Sequence, residues 1–429
     1  MQDYITDYIF TNFDLWKEKI HKAYLKDIKI PIIREVCTEE ERDNLYHQML
    51  AGTIEYGIPK EGSVPKDDGT QRIVVMFKPK DRIIHSVIGS ALFELTPEFI
   101  HPRCRSYLKG TSCSMVVEDV VNLSRRIRLS MKSDKKKIIG FKADLSKYFD
   151  SVPREYIHRS FDLLELKYGH SATVDYLRNI YNDDRIKKLD KTEAIEYKSL
   201  KQGCAVASWL ADVILYHIDD KLSKLDGEYQ RYCDDILFTG PDYEKALAIL
   251  KEELEKMQLK LNPKKVEFID ADHWVKFLGF SLKGDSISLS KNAIKEFKRR
   301  VDKATFKHKS QRGYKIAMRR LYKELFTGPN GYSWASLHLT TITSEEDINT
   351  LNTYMMDAIR ACETHHTHIG GLGYVRNRNN GCIQRGKGKN VRANREKMPE
   401  IEGYQTLQCF RNLLRTDRPA YEMFVASLI

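Results

Sequence analysis

Three aspartates carry the most chemistry in this chain: Asp144 and the adjacent pair Asp234-Asp235, the pair set in Arg231-Tyr232-Cys233-Asp234-Asp235-Ile236-Leu237-Phe238. Two acids between apolar, strand-forming flanks are expected at a hairpin tip. Ile138-Ile139-Gly140-Phe141-Lys142-Ala143-Asp144 reads as a buried strand that ends in the third acid. Carboxylate oxygens are hard ligands that two ions can share. Mg²⁺ takes one or two of them together with substrate phosphates, and a pair of ions can clamp the attacking and leaving oxygens of an in-line phosphoryl transfer. Asp144 and Asp234, with Asp235 behind them, would supply that set. The dipeptide alone is weak, because Asp183-Asp184 and Asp219-Asp220 also occur and read as solvated turns or helix faces. The upstream acid at a strand end makes the pattern chemical.

The elements that must position these acids follow in order. After Asp144, Leu145-Ser146-Lys147-Tyr148-Phe149-Asp150 turns toward a helix that Pro153 helps to start. Lys198-Ser199-Leu200-Lys201-Gln202-Gly203 precedes an apolar helix expected over Ala205 to Ile218, and the segments Leu259–Val266 and Val275–Phe280 follow the acid pair. Upstream, Val64-Pro65-Lys66-Asp67-Asp68-Gly69-Thr70-Gln71-Arg72 reads as a hairpin with a Gly-containing turn. That would put Lys66 and Arg72 on neighbouring strands, where they can hold a triphosphate. Arg82-Ile83-Ile84-His85 opens a helix running through Phe93, and Ser290 caps another with Ile294, Phe297, Val301 and Ala304 on one stripe and Lys291, Lys295, Lys298 and Arg299 on other faces.

Charge divides the chain. The 429 residues carry a net +11, but residues 291–429 hold 25 Lys+Arg against 13 Asp+Glu, net +12, which leaves the first 290 residues at −1. A nearly neutral body with a basic appendage suits an enzyme whose appendage grips a phosphate backbone. Within it, residues 370–397 are rich in Gly, Asn and Arg, and Arg385, Lys387, Lys389, Arg392 and Arg395 read as a loop that orders on RNA or as a plain disordered one. The segment from Tyr404 to Ile429 is expected to dock back. The eight cysteines lack regular spacing, so no disulfide framework is expected. Cys362, His365, His366 and His368 cluster without a paired metal knuckle and read as a polar helix end. No apolar run reaches the length of a membrane span and no secretory pattern opens the chain, so a cytoplasmic protein without a membrane partner is expected.

Taken together, the motifs over roughly residues 50–290 resemble those of the reverse transcriptases, particularly the bacterial group that includes group II intron, retron and defence-associated enzymes. The resemblance implies an α+β, right-hand polymerase fold: N-terminal helices and fingers over 1–136, palm over 137–290, thumb over 291–369, and a basic loop with a C-terminal segment over 370–429. It implies that Asp144 and Asp234 bind two Mg²⁺ ions, with the Leu145 carbonyl completing one site and Asp235 in support. Lys66, Arg72 and the amides of Lys147 and Tyr148 would hold the triphosphate, and Lys265 would protonate pyrophosphate. Phe149 would lie under the sugar C2′ and exclude a ribose hydroxyl. Gln202 and Gly203 would meet the template and nascent pair, Cys233 the terminal sugar, Tyr232, Leu278 and Gly279 the primer, and Lys291, Lys295, Lys298 and Arg299 the duplex.

The chain departs from its relatives in having Cys204-Ala205-Val206-Ala207-Ser208-Trp209 where many carry a Ser-Pro-rich run. It lacks a Val-Thr-Gly signature after the palm, and the 139 residues beyond Ser290 leave little room for maturase, endonuclease or RNase H modules. The Tyr-Cys-Asp-Asp variant and short basic C-terminal region are most similar to class 2 defence-associated reverse transcriptases. That implies deoxynucleoside triphosphates as substrates and a structured, neighbour-encoded non-coding RNA copied into repetitive cDNA during anti-phage defence. A mobile-retroelement enzyme, an RNA-directed RNA polymerase and a non-catalytic RNA-binding scaffold remain the alternatives.

Overall fold

Gly140-Phe141-Lys142-Ala143-Asp144 forms a strand buried along its whole length, and the rest of the first half is arranged around it. The computed structural model describes residues 2–26, 38–66, 70–130, 139–270, 272–305, 313–328, 333–364, 366–369, 372–376, 383–385 and 403–428. The chain separates into two compact units, one of Met1–Thr111 with Ile138–Ile269, the other of Ser112–Lys137 with Asp270–Ile429.

In the first unit the strands are β1 (Lys60–Pro65), β2 (Gln71–Met76), β3 (Gly140–Asp144), β4 (Arg185–Lys187), β5 (Glu193–Ile195), β6 (Glu228–Tyr232), β7 (Asp235–Thr239) and β8 (Glu267–Ile269). They make two four-stranded sheets, ordered β2-β1-β4-β5 and β6-β7-β3-β8. The second is antiparallel throughout and central. Gly140 is required there, because a Cβ would lie 2.1 Å from the Phe238 carbonyl oxygen across the β3–β7 pair. Phe141, Ala143, Ile236 and Phe238 bury the inner face against a core that includes Trp209 and Leu210.

Two helices differ from their sequence expectation. The helix expected to open at Arg82 begins at Pro79 and ends at Leu95, Pro79 being suited to a helix start because its fixed φ and missing N–H cost nothing there. The apolar helix expected over 205–218 is two, Val206–Val213 and Tyr216–Ser223. The break has a visible cause. The Ala211 and Asp212 carbonyls, which a continuous helix would give to the amides four residues on, accept from the Arg231 guanidinium at 3.3 and 2.8 Å, and Ala211 also accepts from Tyr148 Oη at 2.9 Å. Side chains inserted into the ladder end it.

The second unit contains β9 (Val275–Phe277), β10 (Phe280–Lys283) and β11 (Ser286–Leu289) in one antiparallel sheet, and β12 (His366–Ile369), β13 (Leu372–Arg376) and β14 (Ile383–Arg385) in another. Strands β13 and β14 lie inside the stretch expected as loop, where Leu372, Tyr374, Val375 and Ile383 supply strand-forming residues. Ser290 Oγ accepts from the Ala293 amide at 3.2 Å and caps helix Lys291–Ala304, which buries Phe297, Val301 and Ala304. The C-terminal segment docks as expected: the Phe410 ring, in helix Leu407–Thr416, lies tilted 4.1 Å from that of Phe326, and Phe424 lies 4.8 Å from Phe410. No described helix is long and apolar enough to cross a membrane.

Candidate active site

The pairing of β3 with β7 puts Asp144 directly opposite Asp235, and Tyr232 pairs with Asp235 across a two-residue turn made of Cys233 and Asp234. Cys233 has φ 57° while Asp234 has no positive φ, the pattern of a type II′ hairpin, which usually has Gly first. The Leu145 amide donates to the Asp234 carbonyl at 3.2 Å, tying the end of β3 to the turn. Three carboxylates therefore converge from two strand ends. Asp144 is 7 % exposed, and Asp234 has its pKa raised by burial first and then by the charges of Asp144 and Asp235.

Cations face two of these acids. The amides of Ser146 and Asn262 donate to the carbonyls of Lys260 and Asp144 at 2.7 and 2.8 Å, which brings residues 260–262 alongside. The short helical turn Pro263–Lys265, capped by Asn262 Oδ1, then aims Lys265 Nζ at Asp144 Oδ2, 2.8 Å away. Burial would lower the Lys265 pKa, but that hydrogen bond and the three acids outweigh it and hold it above its usual value. Lys142, two residues before Asp144 on the same face of β3, lies 3.1 Å from Asp235 Oδ1. Asp234 has no ion-pair partner among the described residues.

The remaining sequence-predicted residues distribute as follows. Lys66 and Arg72 are exposed at the end of the β1–β2 hairpin, where Arg72 pairs with Val64 and the Lys66 amide donates to the Thr70 carbonyl at 2.7 Å. Lys147 is left-handed at φ 49° and precedes the turn Tyr148–Ser151. Tyr148 is buried, and Phe149 is half-buried, its ring edge-on to Tyr148 at 5.9 Å and its carbonyl accepting from the Leu200 amide at 3.1 Å. The Gln202 carbonyl accepts from the Val75 amide at 2.7 Å, so β2 docks on this loop. The close approach at Gly203 is to β2: a Cβ would meet the Val75 oxygen at 2.2 Å, and φ is 122°. Gly203→Ala should accordingly lower unfolding free energy by about 1–3 kcal/mol, read from denaturant midpoints. An unchanged midpoint would show that β2 yields without loss.

Cys233, expected at the terminal sugar, is 6 % exposed, and its Sγ lies 3.3 Å from the hydroxyl of the more open Tyr107. Leu278 and Gly279, at φ 49° and 85°, form the two-residue type I′ turn between β9 and β10. On helix Lys291–Ala304, Lys291 and Lys295 are exposed, whereas Arg299 is paired with Glu296 at 2.6 Å and Lys298 sits 5.0 Å over the Tyr354 ring. Arg385 falls in β14; Lys387, Lys389, Arg392 and Arg395 lie outside the described residues. Cys362 is buried with its thiol donating to the Ala358 carbonyl at 3.4 Å, His366 and His368 fall in β12, and His365 is outside the described residues.

Sequence reasoning missed the layer beneath the turn. Asp219 is no solvated helix face: it is fully buried and accepts a bidentate pair from Arg231 Nε and Nη2 at 2.7 and 2.6 Å. Asp212, also fully buried, has its carboxyl pushed up to about 6 by burial despite Arg231 nearby. The signal was Arg231 before the acid pair, an always-charged side chain that lies in a strand, Glu228–Tyr232, and is fully buried there. Lys142 was legible in the same way, by its i, i+2 relation to Asp144.

Residues 58–282 match the reverse transcriptase (RNA-dependent DNA polymerase) family. The chain belongs to that family. The α+β, right-hand polymerase fold expected from the motifs is this family's fold, and reverse transcriptase domains use divalent metal ions, typically Mg²⁺. The chain is similar to the retron Ec48 reverse transcriptase of Escherichia coli, 24 % identical over 248 residues that cover 55 % of each chain. It therefore spans about half the length of that relative. Among solved structures it is similar to a telomerase from Candida albicans in complex with a TWJ fragment of telomeric RNA (TM-score 0.44, 12 % identity, 76 % of this chain and 67 % of that one). It is also similar to an apo telomerase from Candida tropicalis (TM-score 0.44, 12 % identity, 72 % and 58 %).

The residues at the reverse transcriptase acids fit a hard divalent ion. Three carboxylates and the Leu145 strand-end carbonyl are oxygen donors, and the ammonium groups of Lys142 and Lys265 already supply positive charge against Asp235 and Asp144. Asp234, buried beside the charges of Asp144 and Asp235 and without an ion-pair partner among the described residues, is the acid whose charge an ion would best relieve.

Proposed function

We propose that this chain is an RNA-directed DNA polymerase that copies a structured, neighbour-encoded non-coding RNA into repetitive cDNA in anti-phage defence, as a member similar to the class 2 defence-associated enzymes. The observation that carries the polymerase reading is the register of Asp144 opposite Asp235 with Asp234 at the turn between. Two Mg²⁺ ions held by Asp144, Asp234 and the Leu145 carbonyl would supply an activated primer 3′-hydroxyl and charge neutralisation at the triphosphate.

The protein's own groups do the rest. Lys66 and Arg72, exposed at one hairpin end, bind the triphosphate, and the Lys147 and Tyr148 amides at the left-handed turn after β3 add donors. Lys142 holds Asp235 in place as a positioning group. Lys265 remains protonated and carries the proton destined for pyrophosphate. Phe149 lies beside the incoming sugar, and the Gln202 loop, pinned to β2, backs the nascent pair. Extension of a DNA primer on an RNA template, with Mg²⁺ supplied and withheld, tests the polymerase reading.

The RNA reading is supported by the net +12 of residues 291–429, which exceeds the charge of the whole chain. Neutralising Lys387, Lys389, Arg392 and Arg395 should weaken the co-purifying RNA and flatten the salt dependence of its binding by about 0.7–0.9 per lost phosphate contact. Extension of a generic annealed primer should survive. Unchanged affinity and slope, measured by filter binding across a salt series, would place RNA recognition elsewhere.

A further inference from the structure

Cys233, the residue before Asp234, has both of its backbone polar groups held by side chains from outside the β6–β7 turn or buried beneath it. Its amide donates to Ser106 Oγ at 2.9 Å, and its carbonyl accepts from Arg231 Nη1 at 3.1 Å. Ser106 is itself directed: its hydroxyl donates to Asp212 Oδ1 at 2.6 Å. Arg231 is directed by the bidentate pair with Asp219. All four side chains are fully buried. Ser106 arrives there because residues 103–105 run along the free edge of β6, with the Arg231 amide donating to the Arg103 carbonyl and the Arg105 amide to the Arg231 carbonyl, both at 2.9 Å.

The two clamps act on a residue that would otherwise leave its conformation. Cys233 is left-handed at φ 57°, a region that side chains other than glycine's rarely keep without over-determination by their surroundings. Tyr107, which touches Cys233 Sγ, is left-handed as well at φ 57°. A relaxed Cys233 would rotate the Asp234 peptide and carry its carboxylate away from Asp144.

We propose that Ser106, oriented by Asp212, is a positioning residue of the polymerase site that holds Cys233 left-handed and thereby aims the Asp234 carboxylate at the metal ions. The proposal rests on the metal-dependent reading above. Arg231 and Asp219 form the second arm of the same clamp. The burial of a charged network under a turn follows from this role, because an apolar filling would pack the space without fixing either polar group of Cys233.

The test uses Ser106→Cys, which keeps the side chain's shape but replaces the hydroxyl with a weak acceptor and donor, and Ser106→Ala, which removes it. Mn²⁺ binding is measured by electron paramagnetic resonance on the full chain without nucleotide, and single-nucleotide addition on an annealed RNA–DNA substrate is measured beside it. Both variants should bind Mn²⁺ roughly 10–100-fold more weakly, as losses of outer ligand supports do. The deficit in addition should fall on kcat and on the metal requirement, with KM for the annealed substrate unchanged and the melting temperature of Ser106→Cys within a few degrees of the parent. Should Ser106→Ala fail to fold, Ser106→Cys alone decides. Parental Mn²⁺ affinity in folded Ser106→Cys overturns the positioning role while leaving the polymerase reading intact. Failure of the parent protein itself to bind Mn²⁺ overturns both.

Discussion

Asp234→Asn is expected to abolish nucleotide addition while making the protein more stable at neutral pH. The carboxylate is needed to hold metal ions whose charge stabilisation amounts to several kcal/mol of barrier. At 1.36 kcal/mol per tenfold, the loss should reach about 10³-fold or more. The stability gain has a separate origin. Asp234 is buried beside Asp144 and Asp235, and its pKa in the folded protein is raised. The stability linked to it is therefore complete at a pH below the unfolded value and lost as pH rises through the folded one. An amide does not suffer that loss, so the difference between variant and parent should grow with pH when melting is followed in the presence of a chelator. Asp235→Asn should behave differently, because it leaves Lys142, 8 % exposed, without its carboxylate at 3.1 Å. Orphaning a buried charge destabilises. If Asp234→Asn melted below the parent at every pH, the crowding of three carboxylates would not be the dominant electrostatic feature of the site.

Phe149→Ala should admit ribonucleotides. Phe149 is fixed on both sides, its backbone carbonyl by the Leu200 amide and its ring by the buried Tyr148, whose hydroxyl is tied to Ala211. The Tyr148 ring braces it on one side and limits its room to move away from a 2′-hydroxyl. Steric discrimination of roughly 1–3 kcal/mol corresponds to about 10–200-fold, and truncation should remove most of it. The ratio of dNTP to rNTP incorporation on one annealed substrate measures this directly. A ratio unchanged from the parent would assign the sugar gate to another residue. A parent that already prefers ribonucleotides would favour an RNA-directed RNA polymerase.

Local signals carried much of this site into the sequence. Asp144 announced itself because a run of apolar residues ended in an acid, and the hairpin because strand-forming flanks bracketed the acid pair, although its two-residue turn is Cys233-Asp234 and Asp235 already opens β7. Lys265 was placed by the family resemblance alone, and the structure carries it on the helical turn Pro263–Lys265. Contacts between distant segments were not legible. Asp219-Asp220 has the composition of a surface pair, and only the return of Arg231 on β6 makes Asp219 part of the core. The helix break at 214–215 depends on that same guanidinium taking two carbonyls, which no propensity within 205–218 encodes. Ser106 lies 127 residues from the Cys233 amide that it accepts. The Gly203 contact with Val75 was not legible: the family resemblance set Gly203 toward the template and nascent pair, and nothing in its own segment pointed to β2.

The central claim is tested most directly by purified protein given an RNA template annealed to a DNA primer, labelled deoxynucleoside triphosphates and Mg²⁺. The account predicts primer extension with dNTPs that stops when the metal is chelated and is absent in Asp234→Asn. Extension that persists in Asp234→Asn, or no extension by the parent on any annealed RNA template, would contradict it.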